Sequence, residues 1–260
     1  MRSSVGRERA ERPLLAQQAG RYREYTVPRP LREHFSCIWV NRLSESGSAP
    51  FVVIPDGTID LQWVAGRWRV AGPDRDPVTE HLPAGAIVFG FRFQPGSASE
   101  WLAAPASEFC GQRVWLEDVW GRDGRDADLA AMAHGPDPLI DALGGVLNRW
   151  AASKPKPNAE MIAVYQLLAS GVPRARNVVP WLMSELGVSE RTLRRRFEAA
   201  FGYGPKTLDR ILRFQRYLAS GRGIDAVPDA LRATATGYAD QSHLVRECRR
   251  LALCTPSQLP

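Results

Sequence analysis

No stretch of this 260-residue chain approaches the roughly 20 apolar residues that a membrane span requires. The arginine-rich start, Met1–Arg12, lacks the apolar segment of a secretory leader. No membrane partner is expected, and the location expected is cytoplasmic. Cysteine is sparse. Cys37, Cys110, Cys248 and Cys254 form no C-x-x-C pair, and no histidine stands at ligand spacing from them, so neither a zinc site nor a disulfide framework is expected. They read as reduced core or boundary residues. His34, His81 and His134 are isolated, and Asp123, Asp126 and Asp128 lack the glycine and closing glutamate of a calcium loop. Asp56-Gly57 is a turn signature, and Asp60 reads as the outward side of a strand. With no nucleophile–base signature either, no catalytic residue, metal or cofactor is expected, and the chain does not read as an enzyme.

What the chain does contain is an internal repeat. Residues 187–205 and 237–256 are diverged copies of one helical unit. Leu193 aligns with Leu244, Arg195 with Arg246, Phe197 with Cys248, Phe201 with Ala252 and Pro205 with Pro256, all at an offset of 51. Gly187 precedes Ser189 by two residues, whereas Gly237 precedes Asp240 by three. Each copy reads as glycine turn, capping residue, then a helix with arginines outward and leucine or aromatic residues inward, the layout of a helix-turn-helix reading head.

The first copy is consistent at each step. Val179, Leu182, Met183 and Leu186 give a short helix one apolar face. Asn177 is placed to cap it, and Pro180 falls in its first turn, where a missing N–H costs little. Gly187 can end the helix in the left-handed conformation, Ser189 can cap the next, and Val188 can staple onto Leu193. In that next helix Leu193, Phe197 and Ala200 point inward, so Arg191, Arg194, Arg195 and Glu198 share the opposite face. Arginine suits a major-groove reader because its planar fork can donate two hydrogen bonds to guanine. A solvated, salt-bridged face is the alternative, since Arg194 and Arg195 lie four and three residues before Glu198. Recurrence of glycine, cap and arginine in the second copy favours the reading helix.

Between the copies, Pro205 suits a helix start, and Leu208, Ile211, Leu212, Gln215 and Leu218 form an inner stripe. Arg210, Arg213 and Arg216 follow at three-residue spacing on another face, as candidate phosphate contacts or as a solubilising stripe. The charge is segregated. Residues 171–260 hold 15 Arg/Lys against 8 Asp/Glu, a balance of +7, and residues 1–170 hold 19 against 20. Clustered positive charge supplies the salt-dependent part of DNA affinity by counterion release.

Leu186-Gly-Val-Ser-Glu-Arg-Thr-Leu-Arg-Arg-Arg-Phe197, Phe201-Gly-Tyr-Gly-Pro205, Arg210-Ile-Leu-Arg-Phe-Gln-Arg216, Gly237-Tyr-Ala-Asp-Gln-Ser-His-Leu244 and Thr255-Pro256 together resemble the DNA-binding domain of AraC/XylS-type transcription regulators. The resemblance covers roughly the last 85 residues. It implies a seven-helix domain in which a rigid linker helix presents two heads to successive major grooves of double-stranded DNA. Base-reading sites then fall on Arg191, Arg194 and Arg195 in the first head, and on Gln241, Ser242 and Arg246 in the second. RNA polymerase is a further partner that the resemblance implies. The second head departs from the family pattern. Val227–Thr236 is rich in threonine and places Arg232 where an apolar residue is expected, Cys248 replaces a large apolar residue, and Leu253 replaces a small one. A looser second head is expected.

The amino-terminal half has a β texture. Phe51-Val-Val-Ile-Pro-Asp-Gly reads as a strand into a turn. Ile59, Leu61 and Trp63 alternate with Asp60 and Gln62, and Ile87, Phe89, Phe91 and Phe93 with Val88, Gly90 and Arg92. Gly66 and Arg67 are placed to close a hairpin between Trp63 and Trp68. Ser97-Ala-Ser-Glu100 reads as a capping box, Asp137-Pro138 as the start of a helix, Lys154-Pro-Lys-Pro157 as a loop and Ala159–Ala169 as a helix. Seven of the eight tryptophans lie in the first 150 residues. Trp39, Trp63, Phe91 and Trp101 are the candidate lining of a ligand pocket, and core packing accounts for them as readily.

Pro55–Trp63, Val70–Pro73, Gly90–Gly96 and Val114–Gly121 are similar to an uncharacterised amino-terminal domain found on a branch of the same family. Kinship implies effector sensing, dimerisation, or both.

The expected architecture is therefore α+β. Residues 1–24 are expected to be a flexible tail. Residues 25–170 should form a sensing or dimerisation domain, with a small antiparallel β region at about 28–96 and helices after it. Residues 171–260 should form an all-α domain with two helix-turn-helix motifs on a linker helix. The function expected is that of a sequence-specific transcription regulator, activator or repressor, whose first domain senses a small-molecule effector, forms a homodimer, or both. The alternative is a protein-interaction regulator whose DNA-binding module has partly decayed.

Overall fold

A computed structural model describes residues 14–45, 50–126, 139–172, 177–221 and 229–259. Val227 and Pro228 of the second head's supporting segment, the helix start at Asp137-Pro138, and Met1–Pro13 lie outside the described residues.

Among the described residues, nine strands form two sheets. Strands β1 (Leu14–Leu15), β4 (Phe51–Val53) and β7 (Val78–Glu80) make a three-stranded sheet in the order β1-β4-β7. The larger sheet runs β2 (Gly20–Tyr25), β3 (Phe35–Leu43), β8 (Ile87–Phe93), β5 (Asp60–Val64), β6 (Arg67–Ala71), β9 (Arg113–Trp115) and is antiparallel throughout. One face carries the main core, in which Phe35, Leu61, Trp68, Phe91, Phe93 and Trp101 are essentially sealed from solvent. Helices α1 (Ala98–Leu102), α2 (Leu116–Trp120) and α3 (Leu139–Ala151) place Trp101, Leu116, Leu143 and Leu147 in that core.

Several expectations change here. The chain is built into the fold from Leu14 onward, so residues 14–24 are not a free tail. Strand β2, Gly-Arg-Tyr-Arg-Glu-Tyr, pairs along β3 from Gly20 opposite Leu43 to Tyr25 opposite Ile38. It is an edge strand with both faces largely wet, so it has no apolar alternation to betray it. Strand β9 extends the β region beyond residue 96. The hairpin turn is Ala65-Gly66, both at positive φ, because Val64 pairs with Arg67. Ser97 does not cap α1; its hydroxyl donates to the carbonyls of Gln94 at 2.8 Å and His34 at 3.2 Å.

Asp60 is the largest revision. It is buried rather than outward, because the far face of the large sheet is itself covered. Glu80 on β7 reaches across to receive Arg69 at 3.2 Å and Arg113 at 2.5 Å. Trp39, Val64 and Val88 pack there, and Trp39 donates its indole N–H to Asp60 Oδ2 at 3.0 Å. Burial pushes the Asp60 carboxyl up, against the pull of Arg92 beside it. Glycine is required at position 90, where a Cβ would stand 2.0 Å from the Trp39 ring.

The carboxy-terminal domain comprises α4 (Ala159–Ala169), α5 (Val178–Leu186), α6 (Glu190–Phe201), α7 (Pro205–Ser220), α8 (Asp229–Ala235), α9 (Gln241–Ala252) and a closing 3-10 turn, Pro256–Gln258. Asn158 caps α4 by accepting from the Met161 amide. Met161, Val164 and Leu168 of α4 lie in one cluster with Leu182, Leu193, Phe197 and Leu208. Helix α4 thus belongs to this domain's core, and the boundary expected at residue 170 falls before it instead. Along α7 a second cluster collects Phe214, Tyr217, Leu244, Cys248 and Leu251.

Candidate nucleic-acid interface

The two copies fold alike at the offset seen in the sequence. Helices α6 and α9 are each 12 residues long. Ser189 accepts from the Thr192 amide at 3.3 Å and Asp240 from the His243 amide at 2.7 Å, so the caps also stand 51 apart. The one-residue difference upstream is absorbed in the turn before Asp240. Gly187, at φ 61°, ends α5, and Gly202, at φ 80°, ends α6. Leu193 and Leu244, Phe197 and Cys248, and Phe201 and Ala252 are all buried, which is why leucine and small or aromatic residues recur at these places.

The opposite faces are exposed. Arg191, Arg194 and Arg195 project from α6, and Gln241, Ser242 and Arg246 from α9. Arg194 donates to Glu198 at 2.8 Å, one helical turn on, an exposed pair of the kind that holds little energy and yields readily to another acceptor. Arg191 and Arg195 have no polar partner among the described residues. Arg196, by contrast, ties α6 to α4 through Glu160 at 2.7 Å. Two basic residues escaped the sequence reading: Arg249 and Arg250 are exposed in the last turn of α9. Their position three and four residues after Arg246 was the available signal.

The linker arginines are half-buried and engaged within the protein. Arg216 donates to the Leu168 carbonyl at 2.6 Å, satisfying the end of α4. Arg213 bonds Asp209 at 2.6 Å and the Gly237 carbonyl at 3.4 Å, and lies 5.7 Å from the centre of the Tyr238 ring. Arg210 stands 3.9 Å from Glu247, and burial and then Arg250 depress its pKa. These three residues fasten the linker to α4 and to the second head. Arg232 is likewise structural: its guanidinium stacks 4.5 Å over the Tyr217 ring and donates to the Tyr217 carbonyl at 3.2 Å, which accounts for an arginine where an apolar residue was expected.

The aromatic set does not converge. Trp63, Phe91 and Trp101 lie in the main core, whereas Trp39 is on the other face of the sheet. A cavity of about 10 Å³ opens between the domains, lined by Gly57, Thr58, Phe93, Gly96, Ala200 and Phe201, with room for about one water.

Two capped 12-residue helices, each following a glycine turn and baring basic residues, define a helix-turn-helix DNA-binding module. Residues 182–259 match the family described as a helix-turn-helix domain, and residues 23–115 match a domain of unknown function. Residues 182–259 thus form a helix-turn-helix domain. No curated protein matches the chain in sequence. Among solved structures, ToxT of Vibrio cholerae is similar at 12% identity, over 85% of this chain and 96% of that one, with TM-scores of 0.47 and 0.46 in two crystal structures. No helix among the described residues is long and apolar enough to cross a membrane.

Proposed function

We propose that this protein is a transcription regulator of the AraC type that reads two successive major-groove segments of double-stranded DNA, through Arg191, Arg194 and Arg195 on α6 and Gln241, Ser242 and Arg246 on α9. The observation that carries the proposal is the exposure of these six residues on equally long, equally capped helices. Arginine matches guanine in the major groove and glutamine matches adenine. Arg249 and Arg250 extend the basic face of the second head toward phosphates.

The first domain serves effector sensing, self-association, or both, in the cytoplasm, with RNA polymerase as a downstream partner. A hydrophobic core of its own and an edge strand exposing Tyr22 and Tyr25 support a module with a separate task. The alternative of a decayed DNA-binding module is disfavoured by the packed second cluster and by the structural work of Arg232. Genome-wide mapping of bound DNA tests the proposal. A bipartite motif with conserved positions about one helical turn apart supports it; occupancy without any shared sequence overturns it.

A further inference from the structure

We propose that the first domain splints the two reading heads. Its Ile54–Thr58 turn, tied to the sheet through Arg92, fixes the linker helix and so sets the separation and phase at which α6 and α9 meet the duplex. This rests on the reading that both heads engage DNA, and goes beyond it by giving amino-terminal residues a part in specificity.

The first domain touches the linker helix, α4 and both heads. On the linker, Gln215 Nε2 donates to the Pro55 carbonyl at 2.7 Å. Gly57, at φ +80°, lies so close to α7 that a Cβ there would stand 3.2 Å from Leu208 Cδ1 and 3.5 Å from Leu212 Cδ2. On α4, the Tyr165 hydroxyl donates to the Asp56 carbonyl at 3.4 Å. On the second head, Ile54 packs against the cluster of Phe214, Tyr217 and Leu244. On the first head, Cys110 packs against the cluster of Leu193 and Phe197. Gly202, at the end of α6, is so near the first domain that a Cβ would meet Pro73 Cγ at 2.5 Å and the Ala106 carbonyl oxygen at 3.0 Å.

The turn that makes these contacts is held rigidly. Asp56 Oδ1 accepts from the Thr58 amide at 3.0 Å and from its hydroxyl at 2.6 Å. Asp56 Oδ2 pairs with Arg92 at 3.1 Å, and Arg92 also pairs with Asp60 at 3.1 Å. Although burial works against its charge, Asp60 and Asp56 keep Arg92 firmly protonated. Charge-assisted bonds therefore run without a break from Trp39 inside the sheet to the turn that grips the linker.

The module alone has less to hold it. The clusters of its two heads are separate and are joined along a single helix, α7. One base pair of extra spacing rotates one half-site by about 34° about the duplex, and only a stiff pair of heads rejects that displacement.

The test uses full-length protein and a duplex it selects from a random pool, together with derivatives carrying one base pair inserted or deleted between the two protected halves. Gln215→Leu removes the bond to Pro55 at similar bulk, and Asp56→Asn weakens the tie to Arg92 while keeping its shape. Wild-type affinity should fall about tenfold or more with each spacing change, and the variants' affinity about threefold or less, with both halves still footprinted. Folded variants that keep the wild-type discrimination, or a wild type indifferent to spacing, overturn the splint. Hydrogen exchange without DNA gives an independent readout, and there Gly57→Ala serves as a further variant. The amides of residues 205–220 should exchange faster than in wild type while those of the sheet do not, and unchanged exchange overturns the proposal. A wild type that selects no sequence at all would remove the DNA-reading proposal, and exchange would still decide the splint.

Discussion

Gly187 and Gly202 both end helices of the first head at positive φ, yet replacing them with alanine should have unequal consequences. At Gly187 nothing lies within 4 Å of an added Cβ, so Gly187→Ala meets only the left-handed backbone cost of about 1–2 kcal/mol, offset by about 0.4–1 kcal/mol from the stiffer unfolded chain. A net loss of about 0.5–1.5 kcal/mol follows. At Gly202 the same backbone cost applies, but the new methyl would also overlap the Pro73 ring at 2.5 Å. A proline ring cannot swing aside, so the domains must part or strain by a further 1–3 kcal/mol, roughly the cost of overpacking a core. Since each kcal/mol is about 2–4 °C in Tm for a chain of this size, Gly202→Ala should lower the melting temperature at least about twice as far as Gly187→Ala. Thermal melts followed by tryptophan fluorescence, dominated by the seven tryptophans of the first 150 residues, and by helical circular dichroism check this. Both signals should shift together for Gly202→Ala, and Pro73→Ala should recover much of the loss in a double-mutant cycle. Equal shifts for the two glycine variants would refute the close approach of the domains.

Arg195→Ala should weaken binding to the preferred duplex by about 1–3 kcal/mol and scarcely affect random duplex, measured by competition titration; equal losses on both would make Arg195 a phosphate contact. Affinity should fall steeply with salt, with a log–log slope of several units in titrations between about 50 and 200 mM. Glu247→Gln leaves Arg210 half-buried with Arg250 as its neighbouring charge. The cost should be about 1 kcal/mol, and base substitution across the bound site should show relaxed specificity in the second half with the first unchanged. Burial, opposed by Glu33, depresses the His34 pKa below its ordinary 6.5, so the unfolded chain binds the extra proton and stability is lost as pH falls through about 6.5. Urea midpoints at pH 7.5 and 5.5 should differ in wild type and differ less in His34→Gln.

The reading heads were legible because their determinants are local. Caps at Ser189 and Asn177, the glycine at 187 and the spacing of Leu193, Phe197 and Ala200 all act within a few turns of one helix. The parts that escaped depend on what lies across from a segment. Alternation places Asp60 opposite Leu61, but only its partners Trp39 and Arg92, and Glu80 set against Arg69 further along that face, decide that the far side is dry. The apolar residues of α4 announce a helix without saying which core receives it. The stripe of Arg210, Arg213 and Arg216 has the spacing of a phosphate-facing surface, and its partners Glu247, Gly237 and Leu168 come from three other segments. No periodicity in α7 can reveal them.

The contact at Gly202 also bears on how the duplicated unit changes over generations. At position 202 the left-handed backbone, the Pro73 ring and the Ala106 carbonyl all oppose a side chain, so a replacement there is expected only alongside changes in the first domain. The equivalent place in the second copy is Leu253, left-handed at φ 56° and 53% exposed, where a large side chain already has room. Related sequences should therefore keep glycine at the first position and vary widely at the second, the copies drifting apart because only one of them is answerable to another domain.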